Sequence, residues 1–361
     1  MTPDPFAVVD ALWAGLEGPA AVARIRRGAF VLATAPRPPV GQTPHTIVHT
    51  HDKLVVRFYA PSAGGPRTPV VVIPSLINKA WICDLEPDRS LVAALAAAGH
   101  PTYLVDWGVP GPEDASEDVR YVLIELLHRA VDRIARHAGA PTVHVLGYCM
   151  GGTLASMYAA LRPQRVASLV ALAAPVKFSE GGRFRDLVSA VNVDKAIDPD
   201  GLLPVSLMKP AFQLLDPMGN WSKHDAIERA SHDPAKLARV LARERWLEEN
   251  VPMAGAFARE FTKFAYQEDR LLAGTWAVGG ETVNLARITA PTLVVTCQGD
   301  FITPAAAATP LAAAVSGPAR LEAVEGGHIG VVVGAQGPRV FYPMLDRFFR
   351  DNQPGPRGGA R

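Results

Sequence analysis

VHVLGYCMGGTLASMYAAL, residues 143–161, decides how the rest of the chain is read. A β-branched run ends in Gly147-Tyr148-Cys149-Met150-Gly151, and a small-residue helix starts at once. The spacing Gly-x-Cys-x-Gly is that of a strand turning sharply into a helix with one side chain held at the tip. A β-carbon at Gly147 or Gly151 is expected to collide with neighbouring backbone, which is the steric reason for both glycines. The tip residue then stands at a helix N-terminus, where the dipole favours an anionic sulfur and the first backbone N–H groups can receive an oxyanion. Read alone the motif is common; directly between a β run and a helix it marks Cys149 as a candidate nucleophile.

Outward from this turn, short β-rich runs alternate with helical patterns, which predicts an α/β fold with a mostly parallel central sheet. TIVHTHDKLVVRFYAP (46–61) predicts a hairpin turning at His51-Asp52. TPVVVIPSLI (68–77) is a strand covered on both faces. RSLVAALAAAGH (89–100) is a helix stopped at Gly99, and TYLVDWG (102–108) the next strand. SEDVRYVLIELLHRAVDRIARHAG (116–139) predicts a long amphipathic helix, with Ser116 as N-cap and Gly139 as terminator. VASLVALAAPV (166–176) adds a strand. From residue 178 to 285 the rhythm breaks into amphipathic helices, among them HDPAKLARVLARERWLEEN and MAGAFAREFTKFAYQEDRLL, a block spliced between two late strands in the manner of a lid. Strands resume at ITAPTLVVTCQGD (288–300) and ARLEAVEGGH (319–328), and PRVFYPMLDRFFRDN closes as a helix. The expected organisation is an N-terminal helical segment over 1–42, a core over 43–177 and 286–350, a mainly helical cap over 178–285 and a disordered tail over 351–361.

Composition narrows the classes. The chain has 361 residues, 48% of them hydrophobic, so material for a large core is present. A formal net charge of +1 gives no basic field for nucleic acid. Three cysteines, far apart and odd in number, do not make a disulfide framework and fit a reducing cytosol. The first residues lack the pattern of a signal peptide, and no apolar run of about 18 residues marks a membrane span.

A nucleophile on such a turn needs an acid and a histidine beyond later strands, in that order. Asp300, in LVVTCQGDFITP, and His328, in LEAVEGGHIG, both stand at strand ends. His328 is placed to take the thiol proton and Asp300 to hold the imidazole tautomer. Asp106, in VDWG, ends an earlier strand and is the alternative acid. The loop IPSLINKAW supplies the second oxyanion donor, the N–H of Ile77 or of Leu76, to pair with that of Met150. Cys297 and Cys83 read as packing. His45, His49 and His51 alternate along the hairpin, and no spacing supports a metal site.

With these pieces in place the sequence resembles the polyhydroxyalkanoate synthases over roughly residues 43–348. The resemblance rests on TPHTIVHTHDKLVVRFY, PSLINKAWICDLEPDRSLVAALAAAGHPTYLVDWG, GYCMGGT, FTKFAYQEDRLLAGTWAVGGETVNLARITAPTLVV, GDFITP and GGHIG. It implies an α/β-hydrolase fold with an inserted cap and a Cys149–His328–Asp300 triad. It further implies an acyltransferase that polymerises (R)-3-hydroxyacyl-CoA into polyester, with coenzyme A released as part of the substrate and no separate cofactor. About 40 residues precede the first shared motif, which is like the short class III catalytic subunit. That implies a second synthase subunit, leaves room for a homodimer, and implies a cytoplasmic place at the surface of polyester granules. Phe301 departs from the histidine that often follows the family's aspartate. Two other readings stay open on the sequence: a thiol-dependent hydrolase of the same fold (a polyester depolymerase or thioesterase), and a non-catalytic granule-associated protein.

Overall fold

The computed structural model describes residues 19–354 except 63, 66 and 67. The N-terminal expectation therefore lies outside the described residues over 1–18, and that of the tail over 355–361. The chain forms two compact units. In the larger, residues 41–211 and 249–361, an eight-stranded sheet runs in the order β1-β2-β4-β3-β5-β6-β7-β8. The strands are β1 (Thr46–His51), β2 (Leu54–Tyr59), β3 (Val70–Ile73), β4 (Thr102–Asp106), β5 (Val143–Tyr148), β6 (Val166–Leu172), β7 (Thr292–Cys297) and β8 (Ala319–Val324). The hairpin β1–β2 and the β2–β4 pair are antiparallel; every pairing from β4 through β8 is parallel.

The apolar runs explain this order. Val70, Val71, Val72 and Ile73 are fully buried, as are Val143, Val145 and Leu146, because central parallel strands are covered by helices on both faces. Edge strand β8 keeps only Val324 buried. The helix Leu91–Ala97 starts at Ser90, whose hydroxyl accepts the N–H of Ala93 at 3.0 Å, a cap worth about 1 kcal/mol. One expected cap is displaced: Ser116 lies in a turn, and Asp118 Oδ1 accepts the N–H of Tyr121 at 2.7 Å instead. A charged carboxylate beside the helix start competes better than a hydroxyl two residues earlier. That helix is wound wide over Tyr121–His128, is regular over Arg129–Ala138, and ends at Gly139 with φ +64°.

The segment 178–285 contains no strand of the main sheet; its strands are two-residue pairs, Leu202–Leu203 with Met253–Ala254 and Ala277–Val278 with Glu281–Thr282. Residues 212–248 of it belong to the smaller unit, together with the helix Pro19–Thr34. There Arg24 pairs with Asp225 at 2.8 Å and Arg27 with Glu228 at 2.9 Å. Gly28 lets the helices meet, since a β-carbon at that position would lie 3.1 Å from His224 Cα. Among the described residues no helix is long and apolar enough to cross a membrane.

Candidate active site

Cys149 sits between β5 and the helix Met150–Leu161 with φ +57° and ψ −131°. A non-glycine residue in that region costs on the order of 1–3 kcal/mol and persists only where its surroundings enforce it. Here they do. The Cys149 N–H is held by the Leu172 carbonyl at 2.9 Å, and its own carbonyl accepts Gly152 N–H at 2.8 Å and Thr153 N–H at 3.2 Å. A β-carbon on Gly147 would stand 2.6 Å from the Gly151 oxygen and 2.7 Å from Ala155 Cβ. One on Gly151 would meet the Ile73 and Pro74 carbonyls. Gly152, which the motif reading passed over, is equally confined, with the Gly147 oxygen 2.8 Å from where its β-carbon would be.

Of the three cysteines, Cys149 alone is partly exposed. Burial first, and then a neighbouring carboxylate, push the Cys83 and Cys297 thiols up to about 12. Those two are packing groups at neutral pH.

Asp300 follows β7 and His328 follows β8, so the parallel β7–β8 pairing brings their loops side by side. The Gly299 N–H bonds the Gly326 carbonyl at 2.9 Å and joins the two loops. Asp300 Oδ1 accepts the N–H groups of Ile302 at 2.9 Å and Thr303 at 2.8 Å. Oδ2 is thereby turned to His328 Nδ1, 2.6 Å away, with both side chains buried. Burial alone would lower the imidazole. The Cys149 sulfur and the Asp300 carboxylate on either side override it, and His328 is raised to about 10. The Cys149 sulfur stands on the side of the ring away from Asp300. Asp106, the alternative acid, is engaged elsewhere: its carboxylate takes Arg57 at 2.5 Å and the Gly108 N–H at 3.2 Å.

Met150 opens its helix, so its N–H has no intrahelical acceptor. Ile77 lies beyond the end of β3, the strand beside β5, and its carbonyl accepts the Val251 N–H at 2.8 Å, which fixes the loop. Both oxyanion candidates therefore stand at the C-terminal ends of adjacent strands, as Cys149 does.

Three contributors were not legible from the motifs. The Tyr148 hydroxyl donates to the His328 carbonyl at 3.0 Å, and its ring packs against the imidazole at 5.2 Å. The Tyr266 phenol, buried near Cys149, belongs to an aromatic cluster with Phe178, Phe184 and Phe261. Asp269, at φ +49°, accepts the N–H groups of Phe178 at 2.7 Å and Ser179 at 3.1 Å and so fixes the start of the segment after β6. An Asp ahead of RLLAG was a possible signal for the last, since Asp tolerates the left-handed region.

The alpha/beta hydrolase fold model matches residues 68–335. The poly(3-hydroxyalkanoate) polymerase subunit PhaC of Allochromatium vinosum is 31% identical over 317 residues, covering 86% of this chain and 89% of that protein. The chain belongs to the PhaC family of the α/β-hydrolase fold. A second PhaC relative, from Synechocystis, is 30% identical over 87% of this chain and 86% of its own length. Among solved structures, a hydrolase from Pseudomonas aeruginosa PA01 has a TM-score of 0.54 at 20% identity, covering 86% of this chain and 99% of that one. The enol-lactonase from Burkholderia xenovorans LB400 has a TM-score of 0.51 at 15% identity, with 85% and 100% covered. These solved structures share the fold, and the PhaC relatives supply the family.

Proposed function

We propose that the protein is the catalytic subunit of a polyhydroxyalkanoate synthase, an acyltransferase that joins (R)-3-hydroxyacyl units from coenzyme A thioesters into polyester. The observation that carries this reading is the partly exposed Cys149, strained on its elbow, beside an imidazole whose other nitrogen is tied to a buried carboxylate. The PhaC relatives point to the same chemistry.

In this mechanism His328 Nε2 already holds the proton of the Cys149 thiol when Sγ attacks the thioester carbonyl. The oxyanion is received by the N–H groups of Met150 and Ile77. Coenzyme A leaves as the thiol, taking the proton from His328. The acyl group on Cys149 is again a thioester, so little free energy is lost and it stays activated toward an alcohol. A serine ester would lie lower and be harder to pass on. His328 then takes the proton of an incoming hydroxyl as that oxygen attacks, an ester forms, and Cys149 is freed. Asp300 holds the Nδ1–H tautomer throughout.

Residues 178–211 and 249–285, the helical part that belongs to the larger unit, serve in this reading as the lid that keeps water from competing with the hydroxyl, and a second synthase subunit supports activity. No resident cofactor is required. A cytoplasmic place at the granule surface follows from the substrate. The test is mass spectrometry of the protein quenched in acid after mixing with (R)-3-hydroxybutyryl-CoA: an acyl mass on the Cys149 peptide is expected. An acyl group on any other residue, or none during turnover, would overturn the assignment.

A further inference from the structure

The last strand of the sheet is open on both faces and along one edge. β8 pairs with β7 alone, and its first five residues are exposed, Leu321 to 53%. Its hydrogen bonds show which groups that edge presents. The Pro318 carbonyl accepts the Thr292 N–H at 2.8 Å and the Val324 carbonyl the Gln298 N–H at 3.0 Å, so the even-numbered residues turn their backbone groups toward β7. Alternate residues of a strand serve opposite neighbours. The N–H and C=O groups of Ala319, Leu321 and Ala323 therefore point outward.

Such an edge is a template for another strand, and proteins blunt it with prolines, bulges or a covering element. The opposite edge strand, β1, breaks register between Ile47 and His49. β8 runs in unbroken register with β7 from Ala319 to Val324 and holds no proline. Its side chains alternate, with Ala319, Leu321 and Ala323 on one face and Arg320 and Glu322 on the other. Neither Arg320 nor Glu322 has an ion-pair partner among the described residues.

We propose that β8 is the docking edge for a second copy of this chain, the two strands running antiparallel about a two-fold axis at Leu321. Charge selects that register. It sets Arg320 of each copy opposite Glu322 of the other, in the closer, non-hydrogen-bonded pairs of an antiparallel ladder, where opposite charges stabilise. Leu321 meets its own copy, Ala319 meets Ala323, and the outward backbone groups exchange about six hydrogen bonds. An axis at Ala319 or Ala323 instead leaves Arg320 opposite Pro318 or Glu322 opposite Val324. A strand of uniform charge cannot satisfy both side chains, whereas this chain's own edge does. Cys149 lies three strands in from the contact, so this edge gives the homodimer left open on the sequence a surface whichever reaction the thiol performs.

The test is sedimentation velocity of the full chain over a range of concentrations, with thermal melts to show that each variant is folded. A contact this short lies at the low end of interface sizes, and wild type is expected to dimerise reversibly with a Kd of about 1–100 µM that weakens as salt is raised. Arg320→Glu and Glu322→Arg each set like charges opposite one another at both pairs and should weaken the dimer at least about tenfold. Mixed in equal amounts, the two variants present complementary edges and should associate as tightly as wild type. Wild type that remains monomeric at about 300 µM would overturn the proposal. Single variants that dimerise like wild type would do the same, and so would a mixture that associates no better than its components.

Discussion

Replacing Gly151 by alanine tests the elbow with one methyl group. The added β-carbon would stand 2.6 Å from the Pro74 carbonyl carbon and closer still to the Ile73 and Pro74 oxygens, whereas ordinary contact begins at 3.4 Å. Either the loop after β3 or the start of the helix Met150–Leu161 must therefore move by more than 0.8 Å. Neither side is a flexible side chain. Overpacking of this kind costs about 1–3 kcal/mol, which a chain of this size can survive folded. The catalytic effect is larger than the stability effect suggests, because the two N–H groups proposed to receive the oxyanion and the sulfur are displaced relative to one another. A misplacement near 1 Å costs about 10²-fold in rate. The assay is coenzyme A release from (R)-3-hydroxybutyryl-CoA, with thermal melts alongside. Gly330→Ala is the control, since nothing lies within 4 Å of its added carbon although it is two residues from His328. Gly151→Ala should fold and lose about two decades of kcat while Gly330→Ala keeps activity. A Gly151→Ala protein with full activity would refute the reasoning.

Other perturbations test the remaining parts of the site. Tyr148→Phe removes the hydroxyl that holds the His328 carbonyl; a loss near 1 kcal/mol predicts about fivefold lower kcat with KM unchanged. In a His328→Gln background the same change should have no further effect, which a merely structural role would not produce. Cys149→Ala and Cys149→Gly should both abolish acyl transfer. Glycine accepts φ +57° without strain, so Cys149→Gly should be about 1 kcal/mol more stable than Cys149→Ala in urea titrations, the reverse of the usual order. Protonation of His328 stabilises the folded chain because its pKa is raised from 6.5 to about 10. That contribution is complete below pH 6.5 and is lost as pH rises toward 10. The stability gap between wild type and His328→Gln should therefore shrink by at least about 1 kcal/mol across that range, and a constant gap would refute the raised pKa.

The parts of this molecule that could be read from sequence are those set by local rules. Continuous β-branched runs gave the parallel strands, because strands covered on both faces need apolar residues at every position. Glycines two residues either side of Cys149 gave the elbow, because backbone approaches there exclude a β-carbon. Asp300 and His328 were legible from their position after strands, although nothing local showed that the Ile302 and Thr303 amides orient the carboxylate. What escaped depends on contacts between distant segments. Tyr148 and His328 are 180 positions apart. Asp269 reaches the segment after β6 across 91 positions, and the helix Pro19–Thr34 finds its partners near residue 225. The Ser116 cap failed for a local reason, the competing carboxylate two residues on.

The most direct measurement gives the purified protein (R)-3-hydroxybutyryl-CoA, alone and with the second synthase subunit proposed above, and follows both the free thiol and the fate of the acyl groups, with Cys149→Ala in parallel. The account predicts coenzyme A release matched by chain-extended polyester in wild type and neither in the variant. Free hydroxy acid in step with coenzyme A would mean that water, not a hydroxyl, takes the acyl group and would make the protein a hydrolase. Polyester or coenzyme A from Cys149→Ala would contradict the central role of the thiol.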